Sequence, residues 1–95
     1  NVIRVSELDP ADSLERELAI IKVSVDRESR SEVIQIVDIF RAKIIDVSQR
    51  SMIIEVTGDE DKVEAMIQLL RQFGIKELAR TGKVSMVRGA KVIKV

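Results

Sequence analysis

The chain has 95 residues, enough for one domain with a modest core, and its 16 basic residues balance 16 acidic ones. This balance gives no general attraction to nucleic acid or anionic membranes, and no apolar run approaches the roughly 18 residues that span a bilayer. Cysteine and histidine are absent, which excludes disulfides, thiolate or imidazole catalysis and soft-metal sites. Without cysteines or an export signal, the cytoplasm is the expected compartment.

Residues 1–17 are predicted to be a lead-in to the domain. The chain starts at Asn1 inside an apolar stretch, so we expect a fragment whose upstream part is missing. Asp9 and Pro10 can cap and start a short helical turn that continues through Leu14 and Glu15.

The first strand and the first helix follow this lead-in. Residues 18–25 are short and rich in β-branched side chains, which favours a strand. Ser29 and Glu32 have the spacing of a capping box, so a helix is predicted over residues 30–41. Its apolar positions recur at helical spacing, and they are Val33, Ile36, Val37 and Phe40.

Two further strands are predicted over residues 43–47 and 52–57, joined by a polar turn as a hairpin. Gly58 interrupts the chain, and the acidic residues 59–61 then place negative charge where a helix begins. The helix is indicated by an i, i+3, i+4, i+7 apolar stripe, and Gly74 suits its C-terminal αL cap. The stripe consists of Val63, Met66, Ile67, Leu70 and Phe73.

The last predicted strand covers residues 75–81 and ends at Gly82, while the tail from Lys83 to Val95 is left unassigned. The order β-α-β-β-α-β is typical of the α+β ferredoxin-like fold. It predicts a four-stranded antiparallel sheet in the order 4-1-3-2 with both helices on one face.

The two faces of this sheet are predicted from the alternation of side chains. The helix-facing set should include Ala19, Ile21, Val23, Val25, Ile45, Val47, Met52, Ile54 and Val56. The outer face should carry Leu18, Ile20, Ile44 and Ile53, a patch that could mediate self-association. The alternatives are scattered apolar residues of no consequence, or a patch that the chain's own tail covers.

Few residues suggest chemistry. Asp59, Glu60 and Asp61 are consecutive on a helix and do not converge on one ion, so they favour a charge cap over a metal site. Phe40 and Phe73 lie on apolar helix faces, as core residues do. The end of the chain is basic, and it is either a solvated end or an arm that docks on an acidic partner. Its cations are Arg80, Lys83, Arg88, Lys91 and Lys94.

Several segments, in this order, resemble the C-terminal domain of the small regulatory subunit of acetolactate synthase (acetohydroxyacid synthase). The resemblance covers nearly the whole chain except residues 90–95. The segments are LEREL at residues 14–18, IKV at 21–23, FRAKIIDVS at 40–48, EVTG at 55–58, FGI at 73–75, ARTG at 79–82 and RG at 88–89.

The resemblance implies a regulatory role in the biosynthesis of valine, leucine and isoleucine. An upstream ACT domain would bind the inhibitor valine, and residues 1–5 would belong to its end. The present domain would be ACT-like, without a cofactor or catalytic group of its own, and would bind and activate the catalytic large subunit. That subunit would hold thiamine diphosphate, Mg²⁺ and FAD. Independently of the resemblance, a homo-oligomer is expected through the outer strand face or the strand edges.

Under this resemblance, the partner contact is predicted at Arg80, Thr81, Gly82 and Arg88. Glycine permits backbone conformations that other residues resist, and arginine gives bidentate bonds to carboxylates. The alternative is that Gly82 is only a turn residue and both arginines are solvated. A different function, a free-standing ACT-type amino-acid sensor, is disfavoured because the junction at residues 26–30 contains no glycine. A third function, nickel sensing, is disfavoured because it would need histidine or cysteine ligands and the chain contains neither.

Overall fold

A computed structural model of the chain describes residues 13–89. The predicted turn at Asp9 and Pro10, and the assignments made for residues 1–12 and 90–95, lie outside this range. Within it, no helix is long and apolar enough to cross a membrane. The elements are β1 (Ser13–Ser24), α1 (Arg30–Ile39), β2 (Lys43–Val47), β3 (Ser51–Gly58), α2 (Glu60–Leu70), a 3-10 turn (Arg71–Phe73), β4 (Ile75–Arg80) and β5 (Val84–Val87).

The main sheet has the order β2-β3-β1-β4, and all of its pairings are antiparallel. This confirms the predicted ferredoxin-like βαββαβ fold and the order 4-1-3-2. Ile21 shows the register at the centre of the sheet, because it lies opposite Ile54 on β3 and Leu78 on β4.

The core lies between one face of the sheet and the two helices. Its strand residues alternate along β1 and β3, as a sheet covered on one side requires. Fully burying one aliphatic side chain contributes roughly 1.5–3 kcal/mol, so this cluster is the main source of stability. Its members are Ala19, Ile21, Val23, Val25, Val33, Val37, Met52, Ile54, Val56, Val63, Met66, Ile67 and Leu70.

The start of α2 is capped as its acidic sequence predicts. The Asp59 side chain accepts a hydrogen bond from the backbone N–H of Lys62 at 2.8 Å, and Glu60 and Asp61 lie in the first turn. The helix ends at Leu70 and a 3-10 turn follows. Gly74 has φ +96° and ψ +111°, so a positive φ is needed there, but the predicted αL cap is wrong.

The start of α1 differs from the prediction. Ser29 makes no side-chain cap to its own helix, so the Ser29/Glu32 capping box is wrong. A reciprocal pair lies one turn earlier: Asp26 Oδ1 accepts the N–H of Ser29 at 2.8 Å, and Ser29 Oγ accepts the N–H of Asp26 at 2.9 Å. These two residues are three apart, as in a capping box, but here the acidic residue precedes the serine.

The first strand begins at Ser13, five residues before the predicted start. The predicted helical turn through Leu14 and Glu15 is therefore wrong. The reason is the tail, whose residues Val84–Val87 form β5 and pair with residues 13–16. We call the paired segments 13–16 and 84–87 the ribbon. Both β4 and β5 pair antiparallel with β1, β4 with residues 19–23 and β5 with residues 13–16. The ribbon therefore extends the sheet beyond the core.

A bulge in β2 changes which side chains face the helices. Ile44 lies opposite the core residue Ile54, while Asp46 lies opposite Ile53. Ile44 is therefore on the helix-covered side, which corrects its predicted place on the outer face. Ile45 is the extra residue of the bulge and is half exposed at 50%, so its predicted place in the core is also wrong.

Candidate functional site

Arg80 forms a forked contact at the end of β4. It lies opposite Ala19 on β1, hence on the helix-covered side of the sheet. Its Nε and Nη2 donate to the two carboxylate oxygens of Glu17 at 2.9 and 2.8 Å. Its Nη1 donates to Glu64 Oε1 on α2 at 2.8 Å. One guanidinium thus joins β1, β4 and α2; we call these three residues the Arg80 triad.

The charges of the Arg80 triad stabilise one another. The side chain of Glu17 is only 4% exposed, and a carboxylate so placed needs a hydrogen-bonded cation. The Arg80 guanidinium lowers the pKa of Glu17 and of Glu64, and these carboxylates raise the pKa of Arg80. Arg80 is therefore bound within the domain, which corrects the alternative that it is solvated, while its contact with a partner stays a prediction.

The other three predicted contact residues lie between β4 and the ribbon or at its end. Thr81 donates its N–H to the carbonyl of Leu18, and its Oγ1 accepts from the N–H of Leu18, each at 3.0 Å. Gly82 has φ +80°, and a Cβ built there would meet nothing within 4 Å. Arg88 Nε donates to the carbonyl of Ser13 at 3.2 Å. The structure thus brings these residues to the root and end of one ribbon.

The outer face of the sheet carries a shallow apolar patch. Cross-strand register places Ile20 beside Glu55 and Ala79, and Ile53 beside Lys22. Ile20 is 38% exposed, and a cavity of about 170 Å³ is lined in part by Ile20, Ile53 and Ala79. The Lys22 ammonium and the Glu77 carboxylate border it at 2.7 Å from each other.

The ribbon presents a second apolar patch, which the sequence analysis missed. Leu14 lies opposite Met86, and Arg16 opposite Val84, so these four side chains share one face. Met86 is 69% exposed and Val84 60%. The only sequence signal for this patch was a weak alternation of apolar and polar residues after Lys83. That alternation indicates a strand only when its pairing with residues 13–16 is known.

A third feature lies at the junction between β1 and α1. A cavity of about 360 Å³ is lined by Arg27, Arg30 and Gln49. Arg30 Nη2 donates to the carbonyl of Gln49 at 2.8 Å, while its buried Nε has no hydrogen-bond partner among the described residues. Across residues 13–89 there is no group of three acidic or metal-ligating side chains placed to hold a metal ion.

The family described as "Small subunit of acetolactate synthase" matches residues 16–89. A probable acetolactate synthase small subunit from Archaeoglobus fulgidus is 62% identical over 89 residues, covering 94% of this chain and 55% of that protein. The acetolactate synthase small subunit of Aquifex aeolicus is 55% identical, covering 93% of this chain and 46% of that protein.

The structural comparison agrees with the sequence comparison. The crystal structure of the acetolactate synthase small subunit from Thermotoga maritima superposes with a TM-score of 0.80 at 54% identity. The match covers 84% of this chain and 49% of that one. The chain thus spans about half the length of the relatives it matches.

Proposed function

The chain belongs to the family of acetolactate synthase small subunits, and from this premise we propose that it is a regulatory domain that binds and activates the catalytic large subunit. The observation that carries the proposal is the family match across residues 16–89, because a small subunit acts through a larger partner. The pathway would be branched-chain amino acid biosynthesis.

Two features of the described residues support a role in protein contact. The outer face and the ribbon each expose apolar side chains that the rest of the domain leaves uncovered. Such patches commonly mark interaction surfaces. The domain would act by binding one state of the large subunit more tightly than another, since only a difference in affinity shifts a conformational equilibrium.

The cofactors thiamine diphosphate, Mg²⁺ and FAD are assigned by this proposal to the large subunit, and valine to an upstream domain. The chain itself would have no acetolactate synthase activity. The cytoplasmic location inferred from the sequence stays a prediction.

The proposal is tested by mixing the tagged chain with the large subunit of the same organism and recovering the complex. Co-purification in a fixed ratio is expected. If the large subunit passes through unretained at micromolar concentrations of both proteins, the proposed partner is wrong.

A second function, direct sensing of an amino acid, is favoured by the cavity beside Arg27 and Arg30, because a guanidinium can bind a ligand carboxylate. Calorimetry of the chain with valine distinguishes the two functions. We expect weak or no heat of binding under the regulatory proposal, whereas micromolar affinity would favour the sensor.

A further inference from the structure

We propose that the ribbon is the arm with which this domain engages the catalytic subunit. Its apolar face would insert into an apolar groove of the partner that is bordered by carboxylates. This inference rests on the proposed function and names the surface that performs it.

The first argument is the placement of the apolar side chains. Directly opposed residues of an antiparallel pair have Cβ atoms about 4.5–5.5 Å apart, so the pairs Leu14/Met86 and Arg16/Val84 form one continuous patch. Its apolar members are 38–69% exposed. A two-stranded ribbon is only marginally stable in water by itself. Covering this patch with a partner would therefore stabilise the ribbon as well as the complex.

The second argument is charge. The chain as a whole has a formal net charge of zero, but the segments 13–16 and 83–88 contain three cations and a single carboxylate. That carboxylate, Glu15, is paired with Lys83 at 3.6 Å. Arg16 and Arg88 remain as excess positive charge beside the patch. A partner groove bordered by carboxylates complements this arrangement.

The outer face of the sheet does not show the same charge imbalance. Lys22 and Glu77 pair across it at 2.7 Å, and Lys43 lies opposite Glu55, which leaves Asp46 as its one unbalanced carboxylate. Its exposed apolar residue Ile20 is also less accessible than Val84 or Met86. Such a shallow face, with little net charge, suits contact with a second copy of the chain. The ribbon suits a different, acidic partner.

The third argument is preorganisation. The Arg80 triad lies at the root of the ribbon, since Glu17 directly follows Arg16 and Arg80 is the last residue of β4. The two hydrogen bonds between Thr81 and Leu18 continue the pairing beyond β4. These contacts fix the direction in which the ribbon leaves the domain. Fixing a binding element in advance reduces the entropy that binding must overcome.

The test compares variants of the full-length small subunit in binding to the catalytic subunit. Val84→Glu with Met86→Glu should weaken binding by about tenfold or more, as for central interface residues, and shift the activation curve to correspondingly higher concentration. Ile39→Glu is the matched control, because Ile39 is 76% exposed on α1, and it should bind as the wild type does.

A second variant separates binding from folding. Arg16→Glu reverses one exposed charge of the patch, so it should weaken binding and make the remaining affinity less sensitive to salt. If the variant with Val84→Glu and Met86→Glu has a lower melting temperature than the wild type, the affinity of Arg16→Glu for the catalytic subunit decides whether the ribbon proposal holds. Wild-type affinity in a folded double variant, or in Arg16→Glu, overturns the ribbon proposal alone. Failure of the wild-type subunit to bind overturns the proposed function and the ribbon proposal with it.

Discussion

Arg80 shows how a residue selected from sequence as a contact can have a different role in the fold. Arginine is frequent at interfaces because its planar fork binds carboxylates bidentately. Here both carboxylates are internal, Glu17 on β1 and Glu64 on α2. The sequence analysis assigned this chemistry to carboxylates of a partner, because sequence alone could not place the internal carboxylates, which lie 63 and 16 residues away along the chain.

Replacing Arg80 with alanine should lower the melting temperature. The substitution leaves the buried Glu17 carboxylate without its partner, which is costly in a poorly solvated site. Arg50→Ala is the control, because Arg50 is exposed and exposed substitutions usually change stability by less than about 0.5 kcal/mol. Thermal unfolding followed by circular dichroism measures both. Equal melting temperatures for the two variants would contradict the structural role of the Arg80 triad.

The Arg80 triad also predicts how stability depends on pH. The guanidinium lowers the pKa of Glu17 below its usual value of 4.5. A carboxyl group with a lowered folded pKa adds stability above its unfolded pKa, and this contribution is lost as pH falls through the folded value. The wild type should therefore lose stability progressively below about pH 4.5, and Glu17→Gln should lose less over that range.

Urea unfolding at several pH values between 6 and 3 measures this difference. Glu32→Gln is the control, since Glu32 is exposed on α1, and it should follow the wild-type curve. Parallel pH curves for the wild type and Glu17→Gln would show that the Glu17 carboxylate adds no acid-labile stability.

At the level of elements, local patterns predicted most of the fold. The helical stripes and the alternation in β1 and β3 identified two helices and the order of the main sheet, because these patterns follow directly from burial on one face. Four features escaped: the bulge in β2, the cap that uses Asp26, the 3-10 turn before Gly74, and the ribbon. A bulge shifts side chains without changing composition, and a ribbon depends on pairing between segments about 70 residues apart.

The outer face of the sheet should mediate self-association of the chain. Leu18, Ile20 and Ile53 remain its apolar residues, while Ile44 belongs to the opposite side. Changing Ile20 and Ile53 to lysine should move the chain toward monomer while it stays folded, because charged groups resist burial in a dry contact. Ile34→Lys, at an equally exposed position on α1, should leave association unchanged.

Analytical ultracentrifugation across a concentration series measures the association. A wild-type chain that sediments as a monomer at high concentration would refute self-association by this face. Loss of association in Ile34→Lys as well would place the contact elsewhere.

At the scale of the whole molecule, the described residues form a ferredoxin-like body with a ribbon attached to one end. Core packing and the Arg80 triad hold the body and the root of the ribbon together. The uncovered apolar surface lies on the outer face and on the ribbon. This division between a packed body and exposed apolar surfaces suits a domain that regulates through binding.

The turnover of the catalytic large subunit tests the proposed regulatory role most directly. This turnover should be measured while the full-length small subunit is added. It should then be measured again with a shortened small subunit that ends before residue 13 and therefore lacks the domain described above. We predict a saturable, several-fold rise with the full-length subunit, no rise with the shortened form, and no turnover by the small subunit alone. Equal activation by the shortened form, or turnover by the small subunit alone, would contradict the account.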